Sequence, residues 1–383
     1  TVVGNIYKGL VDSIVPGIQA AFVDIGLEKN GFLYVSDIAG AEGTGDFDAD
    51  DFENLARSRA ARARQNRIEK ILKQRQSIMV QVEKDTLGTK GVRLTNFVTL
   101  PGRYVVLMPT VSQIGVSRKI AEPKERDRLK KILRSFRGNR QFGLIARTAA
   151  EHKSKEAIEA DLKYLNRIWE RTKRKMERGK NDVVLLHEDL RPIQRTIRDN
   201  FTDDVGRLTI DDETEYNEVL RFLEIFAPHL KDRCKFYNNK RPIFDKMGIE
   251  DQIDDALQRR VSLKSGGHIV IDQTEALVAI DVNTGKFTGK KNLEETVFKT
   301  NMEAAEEIAR QVRLRDMGGI IVVDFIDMDR VKNRRKLLEW CEECLRRDRA
   351  KTTVSDLTEL GMVEMTRKRV KHNLVAALSQ TCP

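Results

Sequence analysis

The stretch Ile269-Val270-Ile271-Asp272-Gln273-Thr274-Glu275-Ala276-Leu277-Val278-Ala279-Ile280-Asp281 reads as two apolar strands joined by a polar turn, a β-hairpin. The unbroken apolar run before Asp281 predicts a fully buried second strand. A helix is expected from Asn292 to about Arg315. Asn292 is placed to cap it, and Glu294 and Glu295 fall in the first turn, where the helix dipole favours acids. Gly318-Gly319 is expected to stop it. Ile320-Ile321-Val322-Val323-Asp324-Phe325, rich in β-branched residues, reads as the next strand. Strand–helix–strand order sets the two strands side by side and brings Asp281 and Asp324 to one edge of the sheet.

Each aspartate closes an apolar run on a strand expected to be buried. A carboxylate there must be paired, protonated or bound to a cation. Two carboxylates at one edge repel unless a hard cation lies between them, and Mg²⁺ commonly takes one or two carboxylates plus waters and substrate phosphate. The plain alternative is that each aspartate caps a neighbouring loop. Asn283, two residues past Asp281, points to the same face of an extended strand and is a candidate to hold water or a phosphate oxygen.

Outward from this region the chain divides. Residues 1–97 read as short strands: Ala20 to Ile25 and Gly31 to Val35 flank a turn, and Ile78 to Val82 alternates apolar and polar. With a charged insertion at 40–76, helical from Phe52 on, this suits a small OB-type β-barrel. Tyr104 to Met108 and Phe142 to Ala146 read as strands separated by a basic helical stretch. Glu156 to Lys175 has helical spacing, residues 193–257 mix short elements, and Tyr216 to Ile225 is expected to be helical. Asp46 to Glu53 reads as an exposed acidic loop.

The chain has 383 residues and a net charge of +10. The length suggests two or three domains, and the charge favours a polyanionic partner. Arg57 to Arg75 holds eight Lys/Arg and one acid; Arg118 to Arg140 holds ten against three. A solvated helix face explains either run alone, whereas the two together on a basic chain suggest a phosphate-tracking surface. No apolar run reaches the ~20 residues of a membrane span, and the first residues do not form a signal peptide. The chain starts at Thr1 rather than Met, so it is expected to be cut at its N-terminus. Four cysteines do not make a disulfide framework and fit a reducing, cytoplasmic setting. Cys341 and Cys344 form a CxxC within an expected helix, Arg330 to Arg347, with no second pair; they read as helix-face residues. Cys234 reads as a small buried hydrophobe. There is no GxxxxGK[ST] loop and no HExxH motif. None of the five histidines, His268 included, sits in a recognisable acid–base arrangement.

Asp281-Val282-Asn283-Thr284-Gly285, Asp324-Phe325-Ile326-Asp327-Met328, Ser265-Gly266-Gly267, Ile271 to Ala276 and Arg313 to Gly319 occur in an order that resembles the ribonuclease E/G family. Ala20 to Leu33 and the Lys84 to Gly91 turn resemble its OB-type domain. Pro16-Gly17, Asp24 to Leu27, Leu87 to Gly91 and Met365 to Arg369 look closest to its ribonuclease G branch. The resemblance covers nearly the whole chain.

It implies an α/β multidomain protein with an OB-type barrel (1–97), a 5′-phosphate sensor (98–192), an RNase H-like subdomain (193–257) lacking its N-terminal part, and a DNase I-like α/β catalytic domain (258–379). It further implies a Mg²⁺-dependent endoribonuclease that cuts single-stranded RNA in mRNA decay and rRNA/tRNA processing. A 5′-monophosphate would stimulate it, and the products would carry a 5′-phosphate and a 3′-hydroxyl. Asp281 and Asp324 would hold the Mg²⁺ and Asn283 would position water or phosphate. Phe22 and Phe32 would stack bases while Lys84 and Lys90 hold phosphates; from the residues alone, both phenylalanines read as core. Arg147 and Thr148, a fork and a hydroxyl at a strand end, suit a terminal phosphate. The resemblance adds Gly102, Val106 and Arg118 to that pocket; the plain alternative for Arg147 is an ordinary surface ion pair. Cys382-Pro383 resembles half of a CPxC zinc link that joins two protomers, so a homodimer, with pairing into tetramers left open, and a shared structural Zn²⁺ are implied, although the second cysteine is absent. Nothing points directly to membrane binding or to a scaffold for other enzymes.

A non-catalytic RNA-binding protein or RNA chaperone would explain the charge and aromatics but not two carboxylates in a phosphate-binding protein. A metal-dependent DNase is the third possibility.

Overall fold

The structure is a computed structural model and describes residues 2–38, 67–84, 91–138, 142–178, 182–274, 277–284, 293–346, 348, 350–358, 361–369 and 373–379. Contacts divide the chain into two units, Thr1–Tyr237 and Asn238–Pro383. The acidic loop, most of the charged insertion, Lys90, the Asn292 cap position and Cys382 lie outside the described residues. Among the described residues no helix is long and apolar enough to cross a membrane.

β1 (Ile6–Val15) organises the first unit. It pairs with β4 (Ser77–Lys84) along its first half and with β2 (Ala20–Asp24) along its second, with a bulge between Val11 and Ser13. β2 pairs with β3 (Gly31–Tyr34), β3 runs parallel to β5 (Arg93–Thr95), and β5 returns to β4. The ring closes, giving the expected five-stranded barrel around Val11, Ala21, Val23, Leu33, Val80 and Leu94.

A second sheet follows in the order β6 (Leu100–Pro101), β7 (Val105–Met108), β9 (Gly143–Ala146), β8 (Ile114–Val116). The basic run between β8 and β9 forms α1 (Pro123–Arg137), whose Leu129 and Leu133 are buried. This assigns the described part of that run to an amphipathic helix with a solvated basic face. α2 (Lys155–Glu177), capped by the Ser154 side chain, buries Ile158, Leu162 and Leu165 in the same core. The chain then returns as β10 (Val184–His187), antiparallel to β1. α3 (Pro192–Asn200), β11 (Leu208–Ile210), α4 (Glu213–Phe226) and β12 (Cys234–Phe236) finish the unit around Ile197, Phe201 and Leu223.

The second unit opens with a short helical turn at Ile243–Lys246 and α5 (Ile249–Leu257) and centres on a six-stranded sheet: β13 (Arg260–Ser262), β14 (His268–Gln273), β15 (Leu277–Asn283), β16 (Gly319–Asp324), β18 (Val363–Arg367) and β17 (Thr352–Leu357), in that spatial order. The expected hairpin is β14–β15, and α6 (Leu293–Leu314) makes the crossover to parallel β16. α6 and α7 (Val331–Leu345) pack with the inward residues Val278, Ile280, Val282, Ile321 and Val323 in one core.

Two expectations are corrected here. β15 is not buried on both faces: Val278, Ile280 and Val282 point inward, while Ala279 and Asp281 are exposed. Apolar residues on the open face, including Ile320 at 51 % exposed, made each run look continuous. Asp281 and Asp324 are both exposed, so neither carboxylate is a buried charge that must be paired or neutralised. Nor does Gly318-Gly319 end the helix. α6 stops at Leu314, Asp316 takes a left-handed conformation (φ 47°), and Gly319 (φ 104°) opens the next strand.

Candidate active site and RNA-binding surfaces

In the second unit, Asp281 and Asp324 are Cα partners across the parallel β15–β16 pair. Paired residues on neighbouring strands share a face, with backbones about 4.8 Å apart. Strand–helix–strand topology thus does what the order of elements implied: it places both carboxylates at the carboxyl ends of adjacent parallel strands, where open α/β sheets bind ligands. Asn283 Nδ2 donates to Asp281 Oδ2 at 2.8 Å, so the amide orients that carboxylate. β18 pairs with β16 only as far as Val323, so the Asp324 end of the sheet is left open on that side. His268, the Cα partner of Asn283, stands on the same face.

Exposed hard oxygens on one face fit a hard divalent cation. Among the described residues no group of three or more histidine, cysteine, aspartate or glutamate side chains converges. A pair of carboxylates without thiolate or imidazole suits Mg²⁺, which keeps most of its waters, better than a fully protein-ligated Zn²⁺.

On the barrel, Phe22 and Phe32 are Cα partners across β2–β3, and their rings meet edge to face at 5.3 Å. Both are half-buried and outside the barrel core, which contradicts the plain reading of them as core. Strand alternation continues the row to Tyr34, 37 % exposed, whose ring lies 4.4 Å from that of Phe32. Arg93 covers the Tyr34 ring at 5.2 Å and is held by Asp37 and Glu83. Lys84 is exposed at the end of β4, opposite Arg93. The sequence reading missed Tyr34 and Arg93; the i, i+2 spacing of Phe32 and Tyr34 was the available signal.

The residues assigned to a terminal-phosphate pocket gather at one end of the β7–β9–β8 sheet. Arg147 Nη1 donates to the Gly102 carbonyl at 2.6 Å, and Nη2 pairs with Asp199 Oδ1 at 2.7 Å. The Thr148 and Ser117 hydroxyls lie 3.3 Å apart, with exposed Arg118 next in the chain. Val106, half-buried, lies opposite Ile145. Arg147 does sit in an ion pair, as its plain reading had it, and that pair fixes the direction of its fork.

Two carboxylates that sequence reasoning missed build this end. Asp161 on α2 accepts the N–H groups of Arg103, Tyr104 and Val105 at 2.8–3.1 Å, and a Cβ on Gly102 would collide with it at 2.5 Å. Burial pushes the Asp161 carboxyl up, more than these three bonds pull it down. Asp199 on α3 also receives two bonds from Arg198. Partial burial pushes its carboxyl up, but Arg198 and Arg147 outweigh that and the net shift is downward.

Cys341 and Cys344 lie on α7, as expected of helix-face residues, and burial pushes the Cys341 thiol up to about 12. Cys234 is buried.

The family model described as "Ribonuclease E/G family" matches residues 99–370. Ribonuclease G of Escherichia coli (strain K12) is 43% identical over 100% of this chain and 76% of its own length. Ribonuclease G of Haemophilus influenzae is 42% identical over 100% of the chain and 75% of its own length. Ribonuclease E of Nostoc sp. is 41% identical over 100% of the chain and 53% of its own length. Identity that spans every residue from the barrel through the carboxylate-bearing sheet, together with a family model covering most of the chain, settles the kinship: the chain belongs to the ribonuclease E/G family.

Proposed function

We propose that the chain is an endoribonuclease of RNA processing that hydrolyses single-stranded RNA with Mg²⁺ held by Asp281 and Asp324. The observation that carries this reading is the side-by-side placement of those two exposed carboxylates in a protein of net charge +10, where unscreened acids would repel the ligand that the charge attracts. Bound there, Mg²⁺ would neutralise the pair, polarise the scissile phosphate and make water a better nucleophile. Asn283 holds the Asp281 carboxylate in orientation. In-line hydrolysis leaves a 5′-phosphate and a 3′-hydroxyl.

The aromatic row Phe22, Phe32 and Tyr34 offers faces for unpaired bases, and Lys84 and Lys90 offer charge for phosphates; this accounts for a preference for single strands. Arg147, Thr148, Gly102, Val106 and Arg118 form the sensor for a 5′-monophosphate, with the Arg147 fork pre-set by Asp199. In this reading residues 98–192 are the sensor domain, 193–257 an RNase H-like subdomain and 258–379 a DNase I-like catalytic domain. The protein works in the cytoplasm on mRNA and on rRNA and tRNA precursors, and Cys382 contributes to a Zn²⁺ link between two protomers.

End-labelled single-stranded RNA incubated with the protein in Mg²⁺ or in EDTA tests the core of this reading. Internal cuts in Mg²⁺ alone, lost in Asp281→Asn and Asp324→Asn, are expected. Intact RNA in Mg²⁺ would instead leave a protein that only binds RNA, and preferential cutting of DNA would make it a DNase.

A further inference from the structure

Asn301, on α6, is a polar residue that is 0% exposed. Its side-chain Nδ2 donates to the Ile326 carbonyl at 2.7 Å, and its Oδ1 accepts the Ile326 N–H at 3.1 Å. One side-chain amide thus satisfies both backbone groups of one residue, as a neighbouring strand would.

The position of Ile326 gives this pairing its meaning. The β15–β16 ladder ends at Asp281–Asp324, and the β16–β18 ladder ends one residue earlier at Val323–Val363. Beyond Asp324, among the described residues, no strand pairs with this backbone on either side. Buried Phe325 anchors the next residue by packing. Asn301 then grips the residue after that. Two turns earlier on the same helix, Glu294 accepts the N–H groups of Asp329 and Arg330 at 3.0 and 3.2 Å and the Asn333 side chain at 2.8 Å. The segment leaving Asp324 is therefore held at two points by α6, the helix that connects the two aspartate-bearing strands.

We propose that Asn301 is a positioning residue for Asp324. Its amide replaces the missing strand, keeps the end of β16 from twisting, and so holds the Asp324 carboxylate beside that of Asp281. This rests on the reading of the pair as the Mg²⁺ site. An apolar side chain at 301 would leave the half-buried Ile326 N–H and C=O without their partner, a cost the strand end relieves by turning towards water. The carboxylate would turn with it. The distance over which a cation can bridge two carboxylates is narrow, so its affinity should fall before the fold does.

The test uses Asn301→Leu, which removes both bonds, and Asn301→Ser, whose hydroxyl is too short to span both groups and which leaves room for a water. Thr300→Val is the control. Thr300 is equally buried, and among the described residues its hydroxyl bonds only to the Thr296 carbonyl within the helix. Three quantities are read on the full chain: thermal midpoint, Mn²⁺ binding by calorimetry without RNA, and the Mg²⁺ concentration giving half-maximal single-turnover cleavage.

Both Asn301 variants are expected to weaken Mn²⁺ binding and raise the half-maximal Mg²⁺ by about tenfold or more, as loss of a residue that supports a metal ligand does. High Mg²⁺ should restore much of the rate. Thr300→Val should lower the midpoint without either shift. If the Asn301 variants lose thermal stability while both metal readings stay within about twofold of the parent, Asn301 is a structural residue only and the proposal falls. Should Asn301→Leu fail to fold, Asn301→Ser carries the same decision. Asp324→Asn separates the two claims: if it too leaves Mn²⁺ binding unchanged, the metal-site reading is wrong and the positioning role goes with it.

Discussion

Asp281 and Asp324 form the last rung of the β15–β16 ladder, and among the described residues neither carboxylate is ion-paired. Like charges opposite each other on adjacent strands are destabilising. In EDTA, Asp281→Asn or Asp324→Asn should therefore raise the thermal midpoint slightly. Mg²⁺ should raise the midpoint of the parent and leave both variants nearly unmoved. Calorimetric melts in EDTA and in Mg²⁺ check both signs, and a variant stabilised by Mg²⁺ as much as the parent would place the cation elsewhere.

Phe22→Ala, Phe32→Ala and Tyr34→Ala should each weaken binding of a short single-stranded RNA by about 1–3 kcal/mol if each ring carries one stacked base. Tyr34, with the most exposed ring, is the best separator. Its loss removes little core packing, so affinity measured by fluorescence anisotropy should fall with only a small change in thermal midpoint. Duplex RNA of the same length should be less affected.

At the end of the second sheet, RNA with a 5′-monophosphate should be cut faster than the same RNA with a 5′-hydroxyl or 5′-triphosphate. Arg147→Ala with Thr148→Ala should erase the difference while slow cleavage of 5′-hydroxyl RNA continues. Asp199→Asn should reduce the preference partially, because Arg147 keeps its bond to the Gly102 carbonyl and loses a charged partner. Equal single-turnover rates on all three ends in the parent would remove the sensor assignment.

Glu125 gives a pH dependence unrelated to catalysis. Arg128 hydrogen bonds hold its carboxyl at about 2, against 4.5 for an ordinary glutamate, and the His152 N–H adds to the effect. A carboxyl whose folded pKa is depressed stabilises the fold above the unfolded value and loses that stabilisation as pH falls through the folded one. The contribution is at most about 3 kcal/mol, present at neutral pH and lost between roughly pH 4.5 and 2. Glu125→Gln should be less stable than the parent at pH 7 and should lose stability less steeply through that window. Denaturant melts at pH 7, 4 and 3 measure the slope.

Much of the six-stranded sheet could be read from the chain because its signals are local. β-branched runs mark strands, Glu294 and Glu295 mark a first turn, and a helix between two strands makes them parallel neighbours. Exposure of Asp281 was not legible, because apolar residues occupy both faces of β15 and β16 and only tertiary packing shows that both helices lie on one side. Asp161, Asp199 and Asn301 escaped for a related reason. Each acts through partners far along the chain, Asp161 through residues 103–105, Asp199 through Arg147 and Asn301 through Ile326, and a lone polar residue in a helix carries no mark of the distant backbone it will hold. Phe22 and Phe32 were ambiguous because a phenylalanine on a small barrel suits its inside or its outside equally, and register decides.

The return of β10 to β1 also sets the order of events during synthesis. Ile6 pairs with His187, so this edge of the first half of β1 lacks its β10 partner until the ribosome has released residues 184–187. The five barrel strands lie within residues 6–95 and can close without it. Until β10 arrives the barrel is thus a closed ring whose β1 edge lacks its β10 partner, a surface on which another nascent chain could add a strand. The whole segment between β5 and β10 must emerge, and its own sheet come together, before that edge is sealed. Pairings so distant in sequence form late and slowly. Chaperone dependence and misassembly during overexpression should therefore concentrate in the interval between release of Thr95 and release of His187.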